Sequence, residues 1–418
     1  MSRAVKISLS AVAVILVVAA AIICALRWKA WFGNQPEQPY SVPAVPHNIV
    51  LSYGEKTQST RIVSFRCDTV TAPACVELLN WTTRDTLVFP ARGTIVSSRA
   101  GKAAFYRAVL DSVISGNYSY RCIAAGHASQ WYNLYFADRA SQNNMQQFLV
   151  FGDIQDKQGA ASSALFNTAF SAQVLGNALP AAMVFVGDII ERPTDHYWQL
   201  FFNSLGDRQT VTPVIAATGN HEYLKGIHKT LDRRWTHVFG NPGNGPERFS
   251  QTTYFLDFPY ARIIVLDTDA LQSVPDYTIM QTWLRMVLAR RPEVWKIIVM
   301  HHPLFSASSN RSNTLLRLAF QRIFEQSDIK ADLVFAGHDH NYMRTAAQSG
   351  EPVYILTNSS DKFYPPKEDL HADSHAAYMR VFEDVKVYRD SIRVNTWNAD
   401  ADTVFDSVVL SRYETRPM

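Results

Sequence analysis

Asp, Asn and His residues follow short apolar runs at five points in the second half of the sequence. Each apolar run is typical of a buried strand, and each polar cluster begins where that strand would end. The clusters are Gly152-Asp153-Ile154-Gln155, Gly187-Asp188-Ile189-Ile190-Glu191, Gly219-Asn220-His221-Glu222, His301-His302-Pro303 and Gly337-His338-Asp339-His340. Oxygen and nitrogen donors without thiolates suit zinc, manganese or iron. The sequence therefore predicts a metal site built from these strand ends.

The last cluster carries two imidazoles separated by one residue. His338 and His340 follow the apolar run 333–336, which Gly337 ends. Alternate residues past the end of a strand normally point to opposite sides. The pair could therefore serve two different metal ions instead of chelating one.

The elements that must position these clusters alternate between strands and helices after Met145. Helices are predicted over 161–179, 277–290 and 315–324, the first from Phe166, Phe170 and Val174 at helical spacing. This alternation implies a layered α/β domain with its site at the carboxyl ends of the strands. The segment 385–399 predicts a closing β-hairpin.

The preceding segment, residues 47–140, contains short alternating runs separated by turn-forming residues, a pattern typical of an antiparallel β-sandwich. No cluster of carboxylates and histidines lies in it, so we expect a structural or positioning role. An oxidising compartment would permit one disulfide there, between Cys67 and either Cys75 or Cys122.

The amino-terminal segment contains an uncharged run over 7–26, about 20 residues long and sufficient to cross a bilayer. Trp28 and Trp31 follow it as interfacial anchors, and no small-residue cleavage site follows the run. We therefore expect a membrane anchor with the remainder of the chain exported; the alternative is a secreted protein released by signal-peptide cleavage. The proline-rich stretch 33–46 predicts an extended spacer that holds the following domain away from the membrane.

The ordered set GD, GDxxE, GNHE, HHP and GHDH resembles the calcineurin-like metallophosphoesterases. It is most similar to the purple acid phosphatase branch, which also carries an amino-terminal fibronectin-type-III-like domain. The resemblance implies a four-layer αββα metallophosphoesterase sandwich preceded by an all-β sandwich domain, and the apolar run adds an amino-terminal transmembrane helix. The expected divisions are an anchor (1–30), a linker (31–46), a fibronectin-III-like sandwich (47–140) and a catalytic domain (145–412).

The resemblance also implies roles for individual residues. Asp188 would bridge two transition-metal ions, each Fe, Mn or Zn. The implied ligands are Asp153 and His340 for the first metal, and Asn220, His301 and His338 for the second. His221 would contact the phosphate and assist the leaving group, and His302 is a further catalytic candidate close to the metals.

Two departures from the family pattern leave one ligand of the first metal open. Glu191 stands where the purple enzymes have Tyr, and Gln155 stands where other branches have His. The remaining ligand is Glu191, Gln155 or water. Without the Tyr no phenolate-to-iron charge transfer can occur, so we expect a protein that is not purple.

Two metal ions about 3.5–4 Å apart can activate a water and clamp a phosphoryl group. The function expected is hydrolysis of a small-molecule phosphate monoester outside the cytoplasm. A phosphodiesterase acting on a lipid or a nucleotide is the alternative enzyme, and a non-catalytic surface binding module is the alternative of another class. The 40 basic and 37 acidic residues give a net charge of +3, too even to favour a nucleic-acid partner.

Overall fold

The computed structural model describes residues 3–136, 145–176, 178–309, 311–348, 350–367 and 372–412, with only the backbone for 3–11. The expected boundary between the two globular domains, near 140–145, lies mostly outside the described residues. The helices are α1 (Arg3–Phe32), α2 (Ala160–Ala169), α3 (Ala172–Leu175), α4 (Asp195–Leu205), α5 (Arg208–Val211), α6 (Trp235–Val238), α7 (Val274–Ala289) and α8 (Thr314–Phe324).

The amino-terminal strands are β1 (His47–Tyr53), β2 (Arg61–Arg66), β3 (Ala74–Asn80), β4 (Thr86–Ser98), β5 (Gly101–Leu110), β6 (Gly116–Ala124), β7 (His127–Ala128) and β8 (Tyr132–Phe136). The next strands are β9 (Met145–Phe151), β10 (Ala182–Phe185), β11 (Val214–Ala216), β12 (Tyr223–Leu224), β13 (Thr230–Leu231), β14 (Tyr254–Asp257), β15 (Ala261–Leu266) and β16 (Trp295–Met300). The last are β17 (Leu333–Ala336), β18 (Tyr342–Arg344), β19 (Val353–Leu356), β20 (Ser374–Ala376), β21 (Val381–Tyr388), β22 (Ser391–Asn398) and β23 (Thr403–Ser411).

The region after residue 145 has four layers. One sheet contains the run β23-β22-β21-β9-β10-β11, and a second has the order β14-β15-β16-β17-β19-β18-β20. Residues such as Val184 and Ile297 fill the space between the two sheets. Trp198 of α4 packs on the outer face of the first sheet, and Trp283 of α7 on that of the second. The predicted layered α/β architecture is therefore confirmed.

Parallel pairing aligns the strand ends that carry the polar clusters. Phe185 of β10 lies opposite Phe151 of β9 and Ala216 of β11, each at the carboxyl end of its strand. In the second sheet Val299 of β16 lies opposite Phe335 of β17. All five clusters consequently emerge along one edge of the paired sheets.

Strands β1–β8 form two antiparallel sheets that share β4 and enclose their own core. Phe65, Tyr106 and Tyr120 are among the buried residues of that core. This arrangement is not an isolated module, because β1 pairs in parallel with β11 through Ser52 and Val214 and so extends the first sheet of the α/β domain. The four cysteines, all within the described ranges, are free thiols, with Cys122 fully buried.

The helix predicted over 161–179 is shorter than expected. Helix α2 ends at Ala169, Phe170 leaves the helical conformation, and Ser171 caps the separate short helix α3. Ser171 adopts an extended backbone conformation, with φ −70° and ψ 157°, so the first helix does not continue into the second. The other two predicted helices correspond to α7 and α8, and the predicted hairpin corresponds to β21 and β22.

The proline-rich segment differs from the spacer we expected. Its Glu37 side chain is 2% exposed and pairs with Arg234, while Tyr40 and Val42 pack against the core that contains Trp198. The segment is extended, but it packs on the α/β domain instead of forming a free spacer between the membrane and the sandwich. A local proline pattern predicts extension without identifying the surface that the segment contacts.

Helix α1 contains an apolar stretch, Val12–Phe32, with a mean hydropathy of 2.2. Its length and composition suffice for a membrane span, although a signal sequence has the same properties.

Candidate metal centre

The backbone at the strand ends adopts conformations that L-residues rarely take. Asp153, Asp188 and His340 each have a φ of 51°, and His338 has a φ of 76°. Such left-handed conformations cost free energy and concentrate at functional sites. Gly187 has a φ of 97°, and a Cβ there would lie 2.7 Å from His301 Nδ1. Only glycine therefore allows the loop before Asp188 to approach His301 this closely.

His301 is the centre of one group of donor atoms. Its Nε2 lies 3.3 Å from Asp188 Oδ2, 3.4 Å from Asn220 Oδ1 and 3.2 Å from His338 Nδ1. Its Nδ1 lies 3.1 Å from the carbonyl oxygen of Val186, so an Nδ1–H donated there leaves the Nε2 lone pair facing the group. Asp188, His301 and His338 each offer a ligand atom within 4.8 Å of the others.

Asp153 and His340 lie beside this group. His340 Nε2 is 3.8 Å from Asp153 Oδ1, too far for a hydrogen bond, while Asp153 Oδ2 accepts one from the backbone N–H of His338 at 2.6 Å. Asp153 is 0% exposed, and within the described part of the chain its Oδ1 has no hydrogen-bond partner. A buried carboxylate oxygen without a donor is costly, and a cation would satisfy it.

The electrostatics of the site reflect these short separations. Burial raises the pKa of Asp153 to about 7. Burial alone would also raise the pKa of Asp188, but the imidazoles of His301 and His221 hold it well below its usual range. Burial alone would lower the pKa of His301, but the carboxylate of Asp188 raises it to about 10. Without a bound cation His301 is therefore an imidazolium beside the Asp188 carboxylate, and a metal cation would replace its Nε2 proton on binding.

His221 contacts the Asp188 carboxylate through its backbone. Its backbone N–H donates to Asp188 Oδ1 at 2.8 Å, and its Nε2 is 3.9 Å from Asp188 Oδ2. Its Nδ1 is 2.5 Å from the carbonyl oxygen of Glu191 and 2.7 Å from Arg192 Nη1. Desolvation lowers the pKa of this imidazole, and Arg192 adds to the effect. The ring is therefore fixed in orientation at the edge of the donor group.

The two candidates for the open ligand position point in different directions. Gln155 Nε2 donates to Asp188 Oδ2 at 2.7 Å, and its Oε1 lies 3.5 Å from Lys362 Nζ. The Glu191 carboxylate instead lies 3.7 Å from Arg192 Nη2. The structure therefore brings Gln155 into contact with the donor group and turns Glu191 towards solvent-facing Arg192.

His302 borders the group without a direct contact to its carboxylates. Its Nδ1 lies 2.9 Å from Thr268 Oγ1 and 3.7 Å from Asp269 Oδ2. Its ring centroid is 4.2 Å from that of His338. Burial lowers the pKa of His302 to about 4, so the ring is neutral at physiological pH.

Glu222 belongs to one of the five polar clusters, but the sequence alone did not reveal its role in the site. Its carboxylate is 0% exposed and accepts four backbone N–H groups. The donors, at 2.7–3.2 Å, are the N–H groups of Asp188, Ile189, Ile190 and Gly219. Glu222 therefore ties the loop after β10 to the loop after β11. In the sequence, only its position directly after His221 indicated that Glu222 could belong to the site.

Three cations at the rim of the site were also missed. Arg311 Nη1 contacts His338 Nε2, and its guanidinium lies 4.8 Å from the centre of the Tyr364 ring. Lys362 Nζ lies 5.4 Å from the same ring centre, and Arg192 contacts His221. Isolated basic residues in loops form no recognisable sequence motif. They could not be predicted, because only the fold brings them to the rim of the site.

The donor set fits a pair of transition-metal ions. Its members are carboxylate, amide and imidazole groups, the ligands preferred by Zn, Mn and Fe. Two of its imidazoles direct their second nitrogen to a fixed partner: His301 to a carbonyl oxygen and His340 to Ser360 Oγ at 3.3 Å. Such contacts orient metal-binding histidines and set their tautomer.

Comparison with known proteins shows which family this region of the chain resembles. Residues 147–342 match the family model for the calcineurin-like phosphoesterase. The matched region contains all five polar clusters, from Asp153 to His340. Over these residues the chain is similar to the calcineurin-like phosphoesterases.

Within that class the domain is similar to purple acid phosphatases. The chain is 32% identical to a phosphoenolpyruvate phosphatase of Allium cepa over 165 residues, which cover 37% of this chain and 33% of that protein. It is 30% identical to a purple acid phosphatase of Glycine max over 152 residues, or 34% of this chain and 32% of the relative. The chain thus spans about a third of the length of these curated relatives.

Solved structures show the same fold over most of the chain. A purple acid phosphatase from seeds of yellow lupin, Lupinus luteus, superposes with a TM-score of 0.68 at 16% identity, covering 88% of this chain and 75% of that one. The structure of PhoD superposes with a TM-score of 0.58 at 11% identity and covers 90% of each chain.

Proposed function

We propose that this chain is a phosphoric ester hydrolase that depends on two metal ions and acts on phosphate monoesters. The observation that supports this most is the convergence at His301. Three donors from three other loops lie 3.2–3.4 Å from its Nε2: Asp188 Oδ2, Asn220 Oδ1 and His338 Nδ1. Asp153 and His340 extend the group on one side, as a second metal position requires.

The assignment of ligands follows from these contacts and from the family pattern. The family pattern makes Asp188 the bridge between the two ions, and its Oδ2 lies 3.3 Å from His301 Nε2. Asp153 and His340 would hold one ion, and Asn220, His301 and His338 the other. Two bound transition-metal ions would supply an activated water and a clamp for the phosphoryl oxygens.

His221 is the residue best placed to act on the leaving group. It lies at the edge of the donor group, with its ring fixed by Glu191 and Arg192. An imidazole in this position can donate a proton to the departing alkoxide, an effect worth about 10²–10⁴-fold in rate. Arg192 would stabilise negative charge on the phosphoryl group beside it.

Arg311 would hold the phosphate from the other side of the site. Its guanidinium contacts His338 and packs on Tyr364, so it is oriented before substrate binds. A guanidinium suits two-point recognition of phosphate oxygens. His302 would keep His338 in place through ring contact, with no direct role in proton transfer.

We also propose that the catalytic domain is exported and remains attached to the membrane by α1. The support is the apolar stretch Val12–Phe32 together with the packed segment that follows it. The amino-terminal strands β1–β8 would act as a fibronectin-III-like positioning domain, consistent with their continuity with the catalytic sheet.

Hydrolysis of an aryl monophosphate by the full chain in detergent, loaded with Fe, Mn or Zn, tests the proposal. Asn220→Ala and His221→Ala should each lower kcat/KM by about 100-fold, as expected for loss of a ligand or a general acid. His127→Ala is the matched control, because His127 is an exposed histidine in the sandwich. Activity that survives in both site variants would refute the assignment.

A further inference from the structure

The end of α1 is fixed to the loop that carries the catalytic candidate His221. Asn34 and Lys225 exchange two hydrogen bonds, Asn34 Nδ2 to the Lys225 carbonyl at 2.9 Å and the Lys225 N–H to Asn34 Oδ1 at 2.8 Å. Lys225 Nζ also donates to the carbonyl oxygen of Ala30 at 3.0 Å. The last turn of α1 is therefore held against the segment that follows His221.

A second contact, further along the chain, prevents this segment from swinging free. The Glu37 carboxylate accepts from the backbone N–H of Asp195 at 2.7 Å and pairs with Arg234. Both charged groups of the Glu37–Arg234 pair are 2% exposed. Arg99 lies 3.8 Å from the same carboxylate. The segment between the membrane helix and the sandwich is thus part of the folded domain.

The fixed helix end and the catalytic candidates line one cavity of about 720 Å³. Lys29, Gly33 and Asn34 form one wall, and Asn220 and His221 form another. The site therefore opens beside the last turn of α1 and not at a surface remote from it.

The membrane surface can be placed relative to this cavity. The 21 residues of Val12–Phe32 span about 32 Å as a helix, close to the thickness of a bilayer's hydrocarbon core. Trp28 and Trp31, in the last turn, are 53% and 48% exposed, as expected for side chains at the lipid–water boundary. Lys29 and Gly33 line the cavity and lie close to these tryptophans in sequence. The mouth of the cavity is therefore at the lipid–water boundary.

The charge of the cavity favours an anionic headgroup. Its basic lining residues are Lys29, Arg99, Arg192 and Lys225, and no acidic side chain contributes to the lining among the described residues. Basic groups next to a membrane attract anionic lipids, and a confined cluster of them binds a phosphate group directly.

We propose that the substrate is a phosphate monoester carried by a membrane lipid, which enters the site from the leaflet in which the end of α1 lies. This inference rests on the proposed hydrolase function and names the substrate class for the same site. The lipid phosphate would reach His221 through the cavity without leaving the membrane surface.

The test compares a lipid phosphate with its water-soluble counterpart. The full, metal-loaded chain is placed in phosphatidylcholine vesicles that contain diacylglycerol phosphate, and glycerol phosphate and an aryl phosphate are supplied in parallel. We expect kcat/KM for the lipid to exceed that for glycerol phosphate by at least about tenfold, because both partners are confined to one surface. Equal or better use of glycerol phosphate, with aryl phosphate hydrolysed normally, would overturn the inference and leave the hydrolase proposal standing. Hydrolysis of neither soluble nor lipid ester would refute both.

A flexible insertion separates the membrane helix from the cavity while Asn34 can keep its two hydrogen bonds to Lys225. About twelve Gly and Ser residues inserted between Phe32 and Gly33 would let the helix end move roughly 19 Å from the domain. We expect lipid hydrolysis to fall at least about tenfold more than aryl phosphate hydrolysis does in the same variant. The matched control is the same insertion between Arg389 and Asp390, in the hairpin turn at the opposite end of the sheet. Equal lipid hydrolysis by both insertion variants would contradict the inference.

A single charge gives a finer test. Lys29→Gln removes a cation from the cavity wall, whereas Arg27→Gln removes one from the same helix outside the cavity. Lipid kcat/KM should fall in the first variant only. An equal effect of both substitutions would indicate general attraction to the membrane instead of recognition in the cavity.

Discussion

The carboxylate of Glu222 accepts a hydrogen bond from the backbone N–H of Asp188, with 3.0 Å between Oε2 and the nitrogen. The same oxygen accepts the N–H of Gly219 at 2.7 Å. The bridging position proposed for Asp188 is therefore set by a residue that would not itself bind metal. Positioning of ligands by a buried hydrogen-bonded partner is a general feature of metal sites.

Glu222→Ala should lower both stability and metal content. The substitution leaves four buried backbone N–H groups without their acceptor, and we expect a loss of about 3 kcal/mol in the free energy of unfolding. Denaturant unfolding and elemental mass spectrometry measure the two effects. Glu55→Ala, at an exposed glutamate, is the control. Normal metal content in the Glu222 variant would contradict its role in placing Asp188.

Glu37→Ala should destabilise the catalytic domain although residue 37 lies outside it in sequence. Its partner Arg234 would remain buried at 2% exposure without this carboxylate. Removing one partner of a buried ion pair typically lowers the free energy of unfolding by about 3–5 kcal/mol. Because Asp232 also pairs with Arg234, we expect a loss of about 3 kcal/mol. Thermal unfolding beside the Glu55→Ala control measures the change. A variant as stable as the control would show that the segment is only loosely attached.

The environment of His47 should make the folded protein less stable in acid. Burial lowers the pKa of His47 to about 4 from its ordinary 6.5, and its Nε2 accepts a hydrogen bond from Arg66 Nε at 2.8 Å. Because the folded-state pKa is depressed, the contribution of the neutral ring is complete above pH 6.5 and is lost as the pH falls towards 4.

The measurement is the free energy of unfolding between pH 7 and pH 4, for the unsubstituted chain and for His47→Gln. The stability advantage of histidine over glutamine should shrink as the pH falls. The matched control is His375→Gln, at an exposed histidine. A difference that does not vary with pH would contradict the prediction.

The iron-loaded protein should not be purple. The colour of the purple enzymes requires a tyrosine phenolate on ferric iron, and this chain has Glu191 at the matching position, turned towards Arg192. Visible absorption spectra of the iron-loaded chain, with the soybean enzyme as positive control, measure the charge-transfer band. A band of comparable strength in this chain would show that another tyrosine replaces the missing one.

Much of the site could be located from the sequence because its signals are local. A buried strand is an apolar run, and the polar residues that follow Phe185 or Met300 mark its end. The pairing of parallel strands then places Asp188 and His301 at one edge. The choice between Gln155 and Glu191 was not accessible, because it depends on which way two neighbouring side chains turn.

The remaining features depend on partners that are distant in sequence. Glu37 is a charged residue in a proline-rich run, so the sequence predicts that it is exposed to solvent. It is buried instead, and its charge is tolerated there because Arg234 pairs with it. Arg311 reaches His338 through a loop without any repeating pattern. The docking of the membrane-proximal segment on Lys225 likewise follows from tertiary contacts and not from the prolines themselves.

The metal content of the full chain in detergent tests the central claim most directly. Elemental mass spectrometry after reconstitution with Fe, Mn and Zn should give about two metal equivalents per chain. Asp188→Ala should reduce that value, because Asp188 would bridge both ions, while His127→Ala should not. One equivalent or none in the unsubstituted chain would contradict a dinuclear hydrolase and would favour a binding role for the domain.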